Sequence, residues 1–262
     1  MLTLEHLSVK RGTLTTADKI SATFQTGKVY TILGPNGAGK SSLIKALFGE
    51  IPHHGDIRYD KQKLTATHLP SWRKRIGYMP QDSKVEAALT ALEVVLLGKM
   101  DALHMHIGDE TLRAAVEIMD ALGIAHLAHH DITRLSGGQR QLVMFAQVLL
   151  RQPQILLLDE PVSALDMHHQ LVLLEHVCHH TREQGLITLM ILHDLSLAAQ
   201  FSDELLLLAE GKIQAQGAPA DVLQADLISR LYRVQVECLT DSMGLPVIRP
   251  VRLQQPQTGN PI

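Results

Sequence analysis

Eight consecutive residues, Gly34-Pro35-Asn36-Gly37-Ala38-Gly39-Lys40-Ser41, constrain this chain more than any other stretch. Three glycines let the backbone wrap tightly with its N–H groups turned inward. The apolar run Val29 to Leu33 precedes them and reads as a buried strand, and Ser42 to Phe48 follows and reads as a helix stopped by Gly49. Strand, glycine loop and helix form the context in which the pattern G-x-x-x-x-G-K-[ST] cradles a phosphate chain. The helix N-terminus adds partial positive charge at the same point. Lys40 would reach the outer phosphates, and the Ser41 hydroxyl would ligate Mg²⁺. The bland alternative is an ordinary glycine-rich turn between a strand and a helix.

The 262 residues allow one large domain or two small ones, and a hydrophobic content of 45% is enough for a sizeable core. A formal net charge of −3 announces no basic surface, so no nucleic-acid partner is expected. Two cysteines, Cys178 and Cys238, make no disulfide framework and suit a reducing compartment. The first residues lack the basic-then-apolar order of a signal peptide. No apolar run approaches the roughly 18 residues that span a bilayer, so a membrane role is expected to come through a partner. Histidine is unusually frequent, at 15 residues, including His53-His54, His129-His130, His168-His169, His179-His180 and His104-Met105-His106. Adjacent histidines on a helix point in different directions, so most of these read as solvated surface rather than as chelates.

Leu2 to Val9 and Lys19 to Gln25 alternate loosely and read as antiparallel strands beside the phosphate loop. Pro52 to Asp56 reads as a loop; Ile57 to Tyr59 and Arg75 to Met79 read as short strands. The pattern then turns helical. Thr90-Ala91-Leu92-Glu93 has the form of a capping box and opens a helix through Leu97. Asp109 is expected to cap a second helix whose apolar face carries Leu112, Ala115, Val116, Met119 and Leu122. The stretch from about residue 85 to 150 thus reads as a helical insertion in a β-rich core. Ile155 to Leu158 is continuously apolar, as strands of parallel sheets are. A helix from Asp166 to Glu183, a strand from Leu186 to Leu192 and a short helix after Asp194 follow. Asp203 to Ala209 and Lys212 to Gln216 flank Glu210-Gly211, a hairpin turn, and Pro219 opens a helix. The tail from Leu253 to Ile262 is expected to be disordered.

Two further stretches carry chemistry. Asp159-Glu160 end the strand Ile155 to Leu158, and parallel sheets place functional groups at the carboxyl ends of their strands. Asp159 would hold Mg²⁺, directly or through water, and Glu160 would accept a proton from an attacking water. Leu135-Ser136-Gly137-Gly138-Gln139 precedes the largely apolar helix Arg140 to Leu150. Ser136-x-x-Gln139 is itself a capping box. Two glycines in a first turn, which would cost about 1 kcal/mol each in a helix interior, also offer close backbone approach to an anion. Two anion sites far apart in sequence need not share one cavity.

Taken together, Gly34 to Ser41, Gln81, Leu135 to Gln139, Ile155 to Glu160, Ser163-Ala164-Leu165-Asp166 and His193 resemble the nucleotide-binding subunit of an ABC transporter, over about residues 2–233. The resemblance implies an α/β fold: a P-loop NTPase ABC cassette with a mainly parallel core sheet, an antiparallel β subdomain and the inserted helical subdomain. One domain would cover residues 1–240, with a C-terminal extension over 241–262. The resemblance further implies two copies that sandwich two ATP molecules head to tail. Ser136, Gly137, Gly138 and Gln139 of one copy would face the phosphate loop of the other, namely Gly34, Pro35, Asn36, Gly37, Ala38, Gly39, Lys40, Ser41 and Ser42. Asp166 would lie in the loop crossing between copies. ATP and Mg²⁺ are the implied cofactors, with Ser41, Gln81 and Asp159 beside the metal. Glu160, His193 and Gln81 are the implied catalytic residues, His193 orienting the water and the γ-phosphate. Permease subunits are implied partners, and indirectly a substrate-binding protein, which places the subunit at the cytoplasmic face of the membrane.

Ile76-Gly77-Tyr78-Met79-Pro80-Gln81, Leu89 to Gly98 and Leu192 to Ala199 narrow the resemblance to importers of ferric siderophores, haem or cobalamin. Two positions depart from the family pattern. Arg11 stands where an aromatic that stacks adenine is common, and a guanidinium plane can also stack on a base. Val162 stands where threonine is common before Ser163 and has nearly the same shape. Two other readings stay open: an exporter subunit, and a soluble ABC ATPase of the DNA-repair or chromosome type. The latter usually carries insertions for which this chain has neither the length nor the cysteines.

Overall fold

The computed structural model describes residues 1–12, 14–81, 88–99 and 108–251. Its first strands, β1 (Leu2–Arg11) and β2 (Leu14–Phe24), pair antiparallel. β3 (Lys28–Leu33) leaves them for a second sheet and runs through the glycine loop into α1 (Lys40–Phe48), which Gly49 stops. The chain then returns to the first sheet, where β4 (His53–Tyr59) takes the free side of β1 and β5 (Gln62–Lys63) ends a four-stranded antiparallel layer. α2 (Leu69–Lys74) carries the fully buried Trp72, whose Nε1 donates to the Leu47 carbonyl at 2.8 Å and ties α2 to α1. β6 (Ile76–Met79) enters the second sheet. The helical layer of α3 (Ala91–Leu96), α4 (Asp109–Ala121) and α5 (Gly137–Leu150) follows. Thereafter strands and helices alternate: β7 (Ile155–Asp159), α6 (Met167–Glu183), β8 (Ile187–Ile191), α7 (Leu195–Phe201), then the hairpin of β9 (Glu204–Ala209) and β10 (Lys212–Gly217). α8 (Pro219–Val222), α9 (Ala225–Tyr232) and the hairpin of β11 (Val236–Thr240) and β12 (Pro246–Pro250) close the described chain. That last hairpin straddles the boundary expected at residue 240.

The second sheet has six strands in the order β10-β9-β3-β8-β7-β6, parallel except for the β9–β10 pair. Alternation along its strands sends side chains to two cores. Val29, Leu33, Leu156, Leu158 and Met190 face the helical layer. Tyr30, Ile32, Ile155, Leu157 and Leu189 face α1, α2 and the antiparallel sheet. Each such fully buried leucine or isoleucine stabilises the fold by about 1.5–3 kcal/mol relative to exposure. Burial on both faces is why these strands read as unbroken apolar runs.

Several expectations change. His53 to Asp56 are strand, not loop, because β1 offers them an open edge: Val9 pairs with His53, Ser8 with His54 and Glu5 with Asp56. The bulge between Glu5 and Ser8 accommodates the intervening glycine that made the stretch look like a turn. Gly108, not Asp109, is the N-cap of α4; Asp109 sits in the first turn, where its charge complements the helix dipole. The buried face of α4 is narrower than expected. Ala115, Met119 and Leu122 are buried, whereas Leu112 and Val116 flank that stripe and remain 40% and 43% exposed. Most of the described histidines are exposed, as expected, while His53, His169, His176 and His180 are half-buried. Among the described residues, no group of three or more His, Cys, Asp or Glu is placed to hold a metal, and no helix is long and apolar enough to cross a membrane. His104-Met105-His106, the tail from Leu253 and parts of the 85–150 insertion lie outside the described residues.

Candidate functional site

Sheet order explains how residues far apart in sequence meet. β3, β8, β7 and β6 are consecutive neighbours, all parallel, so their carboxyl ends open on one edge. The glycine loop follows β3, His193 follows β8, Asp159 and Glu160 end β7, and Gln81 follows β6. A cavity of about 460 Å³ lies along this edge, lined by Arg11, Leu14, Thr16, the loop from Asn36 to Ser42, Gln81, Glu160 and His193.

The loop turns into α1 at Gly39, with φ of 97° and no room for a side chain, since a Cβ would lie 1.8 Å from the Thr16 carbonyl oxygen. The first N–H groups of a helix have no partner within it, and here no side chain caps them. Residues 39–42 therefore present unpaired donors and the positive end of the helix dipole to the cavity. Lys40 is 6% exposed, and its Nζ donates to the carbonyls of Gly34 at 2.7 Å and Pro35 at 3.1 Å. Burial depresses its pKa, so an incoming anion would relieve a charge now met only by loop carbonyls and the more distant acids.

Ser41 Oγ donates to Asp159 Oδ1 at 3.0 Å, and Asp159 is 2% exposed. Burial raises the Asp159 pKa, with the Ser41 bond opposing. A hydroxyl and a carboxylate side by side are hard oxygen donors of the kind Mg²⁺ takes together with substrate phosphates and water, so the residues fit that ion.

Glu160 is the point of convergence. Gln81 Nε2 donates to Oε2 at 2.8 Å, and His193 Nε2 lies 2.6 Å from Oε1. Its backbone carbonyl accepts from Gln141 Nε2 at 3.1 Å and from Ser163 Oγ at 3.2 Å. Glu160 has φ of 55°, a left-handed conformation that costs a non-glycine residue about 1–3 kcal/mol. These contacts hold it there.

The remaining sequence-selected residues lie elsewhere. Ser136 and Gln139 form both bonds of the capping box, at 3.2 and 3.0 Å, and the N-terminus of α5 lies against Ala164 and Leu165. Neither Ser136 to Gln139 nor Asp166 lines the cavity. Asp166 caps α6, accepting from the His169 N–H at 2.9 Å; that bond, with the His169 ring beside it, holds its carboxyl below the usual range. Sequence reasoning missed three contributors. Thr16 walls the loop turn, Gln141 ties α5 to residue 160, and Tyr232 accepts the Gly34 N–H at 2.9 Å. Gln141 lies two positions beyond the singled-out Gln139; nothing in the sequence marks Thr16 or Tyr232.

A glycine loop opening a helix N-terminus, an acidic strand end and a glutamine and histidine that follow flanking strands are chemically suited to a nucleoside triphosphate at the edge of a parallel sheet. Comparison with known proteins makes this specific. Residues 17–163 match the family described as ABC transporter. The ferric enterobactin transport ATP-binding protein FepC of Escherichia coli (strain K12) is 35% identical, over 98% of this chain and 96% of that protein. The hemin import ATP-binding protein HmuV of Myxococcus xanthus (strain DK1622) is 38% identical, over 95% of this chain and 96% of that protein. Among solved structures, the ADP conformation of MJ1267, an ATP-binding cassette of an ABC transporter, superposes with TM-score 0.78 at 25% identity, over 89% of this chain and 98% of that one. The dimeric structure of the bacterial ABC transporter cassette MJ0796 gives TM-score 0.75 at 26% identity, over 84% and 99%. The chain belongs to the ABC transporter family, as an ATP-binding subunit that hydrolyses ATP to power transport.

Proposed function

We propose that the chain energises a membrane importer whose cargo is a ferric siderophore, haem or cobalamin. The names of the relatives support the cargo class: ferric enterobactin transport and hemin import, at 35–38% identity over nearly the whole chain. The observation that supports the mechanism is that the residues implied to hold the triphosphate fall in two separate places on one chain. The loop from Asn36 to Ser42, Gln81, Glu160 and His193 share one cavity, with Asp159 bonded to Ser41 behind it, whereas Ser136, Gly137, Gly138, Gln139 and Asp166 lie outside it. A second copy, turned head to tail, would bring its α5 N-terminus to the open side of the first.

In this reading the N–H groups of Gly37 to Ser42 and the Lys40 ammonium bind and orient the phosphates. Ser41 and Asp159, with Gln81 nearby, would hold Mg²⁺, which supplies charge neutralisation for the triphosphate. Glu160 takes the proton of the attacking water, and His193 and Gln81 fix its carboxylate for that task. Arg11 and Leu14, which line the same cavity, would face the base. Phosphoryl transfer needs positioning and charge neutralisation more than covalent chemistry, so hydrolysis waits for closure of two copies. Opening and closing then move attached permease subunits, which receive cargo from a substrate-binding protein and hold this chain at the cytoplasmic face of the membrane.

The test is reconstitution of the chain with its permease and binding protein in vesicles. Uptake of one of haem, a ferric siderophore or cobalamin should require ATP and Mg²⁺ on the side of this chain. ATP hydrolysis without uptake of any of the three would remove the cargo assignment, and a nucleotide enclosed by a single copy would remove the sandwich.

A further inference from the structure

We propose that Tyr232, at the C-terminal end of α9, is a positioning residue for the phosphate loop; the proposal rests on the nucleotide site assigned above. Gly34 opens the loop at φ of 147°, and a Cβ there would lie 1.9 Å from the Leu208 carbonyl oxygen. The joint is therefore glycine and has no side chain with which to fix itself. The parallel ladder between β3 and β9 ends at Leu33 paired with Leu207, one residue short of it. Two bonds hold Gly34: its carbonyl accepts from Lys40 Nζ at 2.7 Å, and its N–H donates to the Tyr232 hydroxyl at 2.9 Å. The Lys40 ammonium has three protons, two of them on the Gly34 and Pro35 carbonyls, so a phosphate would share it with the loop. The Tyr232 bond involves neither Lys40 nor any other group offered to the phosphates.

The hydroxyl is itself firmly mounted. Burial pushes the Tyr232 phenol up to about 12, so it stays neutral across the working range of pH. α9 stops at Arg233 in the left-handed conformation, and Ser229 accepts twice from the chain that follows, from the Val234 N–H on its carbonyl and the Val236 N–H on its hydroxyl, both at 3.2 Å. β11 is thereby fixed to α9. Its partner β12 docks on α7, where the Ile248 N–H donates to Ser196 Oγ at 3.1 Å. α7 begins two residues after His193. The C-terminal hairpin thus links the helix that carries Tyr232 with the helix that follows His193, although it lies beyond the residues 17–163 matched by the family. Without the tyrosine oxygen the loop would have to be reordered during binding, and preorganisation is what affinity loses first.

Tyr232→Phe removes only that oxygen. In the full-length chain, ATP affinity should fall about three- to tenfold, the equivalent of one ordinary hydrogen bond. In the assembled transporter, KM for ATP should rise by the same factor, with kcat at saturating ATP within about twofold of wild type. Tyr59→Phe, a hydroxyl deletion in the antiparallel sheet, should leave affinity and KM unchanged. An unchanged affinity in Tyr232→Phe while wild type binds ATP overturns the positioning role alone. So does a fall in kcat at constant KM, or an affinity loss that Tyr59→Phe reproduces. A wild-type chain that binds no ATP overturns the site and this role together.

Discussion

Replacing Glu160 by glutamine separates the chemistry of the site from its architecture. The carboxylate accepts two hydrogen bonds, from Gln81 Nε2 at 2.8 Å and from His193 Nε2 at 2.6 Å. A glutamine keeps one acceptor and turns the other into a donor. A neutral imidazole can move its proton to Nδ1 and accept from that new donor, so the network can close again. What is lost is the difference between a hydrogen bond to a charged acceptor and one between neutral groups, about 1 kcal/mol. In a chain of this size that lowers the melting midpoint by about 2–4 °C. Catalysis should suffer far more, because an amide cannot take the proton of the attacking water; removal of a general base costs about 10²–10⁴ in rate. Glu160→Gln should therefore bind ATP with wild-type affinity, accumulate as an ATP-bound dimer in light scattering, and turn over at least about a hundredfold more slowly in the assembled transporter. Turnover within threefold of wild type would refute the base assignment. Loss of ATP binding together with a midpoint drop of more than about 10 °C would show that Glu160 is structural, beyond what one exchanged bond allows.

Other perturbations test the surroundings. Gly39→Ala places a Cβ 1.8 Å from the Thr16 carbonyl at φ of 97°; urea unfolding should show a loss of at least about 2 kcal/mol, and ATP titration a loss of binding. Cys178 is buried, with its thiol pushed up to about 11, so a thiol reagent at pH 8 should modify only Cys238, and a second equivalent should react only in denaturant. Burial depresses the pKa of both His53 and His180 below the ordinary 6.5. The unfolded chain then binds more protons than the folded one in that range, so stability is complete above 6.5 and is lost as pH falls through the depressed values. His180→Gln should flatten part of this slope in melting midpoints measured between pH 7.5 and 5.5.

Local physics made much of the chain legible. Capping boxes at Thr90 and Ser136 involve residues three apart, and both form as their sequences dictate. The strands on either side of the phosphate loop and the acids at 159 and 160 were visible because unbroken apolar runs mark a sheet buried on both faces. What could not be read is which edges meet. His53 to Asp56 look like a turn until β1 supplies a partner, and Leu112 and Val116 look buried until α4 packs through a narrow stripe. Gln81 and His193 could be picked out singly, but that both bond to one carboxylate depends on β6, β7 and β8 being neighbours, which no spacing encodes. Tyr232 is the extreme case, since its partner lies 198 residues away.

Gln141 adds a link between chemistry and motion. It sits one turn into α5, the helix whose N-terminus carries Ser136 to Gln139. Its side chain donates to the Glu160 carbonyl at 3.1 Å and accepts from the Ala164 N–H at 3.3 Å. Glu160 stays in a left-handed conformation only while such contacts hold it. A rotation of the helical layer that repositions the α5 N-terminus toward a second copy must therefore either carry the turn at 160–164 with it or break these two bonds and loosen the base. On the proposed function, the same side chain that aligns the general base in one nucleotide site reports the placement of the anion-binding helix offered to the other. The two half-sites of one chain are then coupled through Gln141 and through the packing of the α5 N-terminus on Ala164 and Leu165.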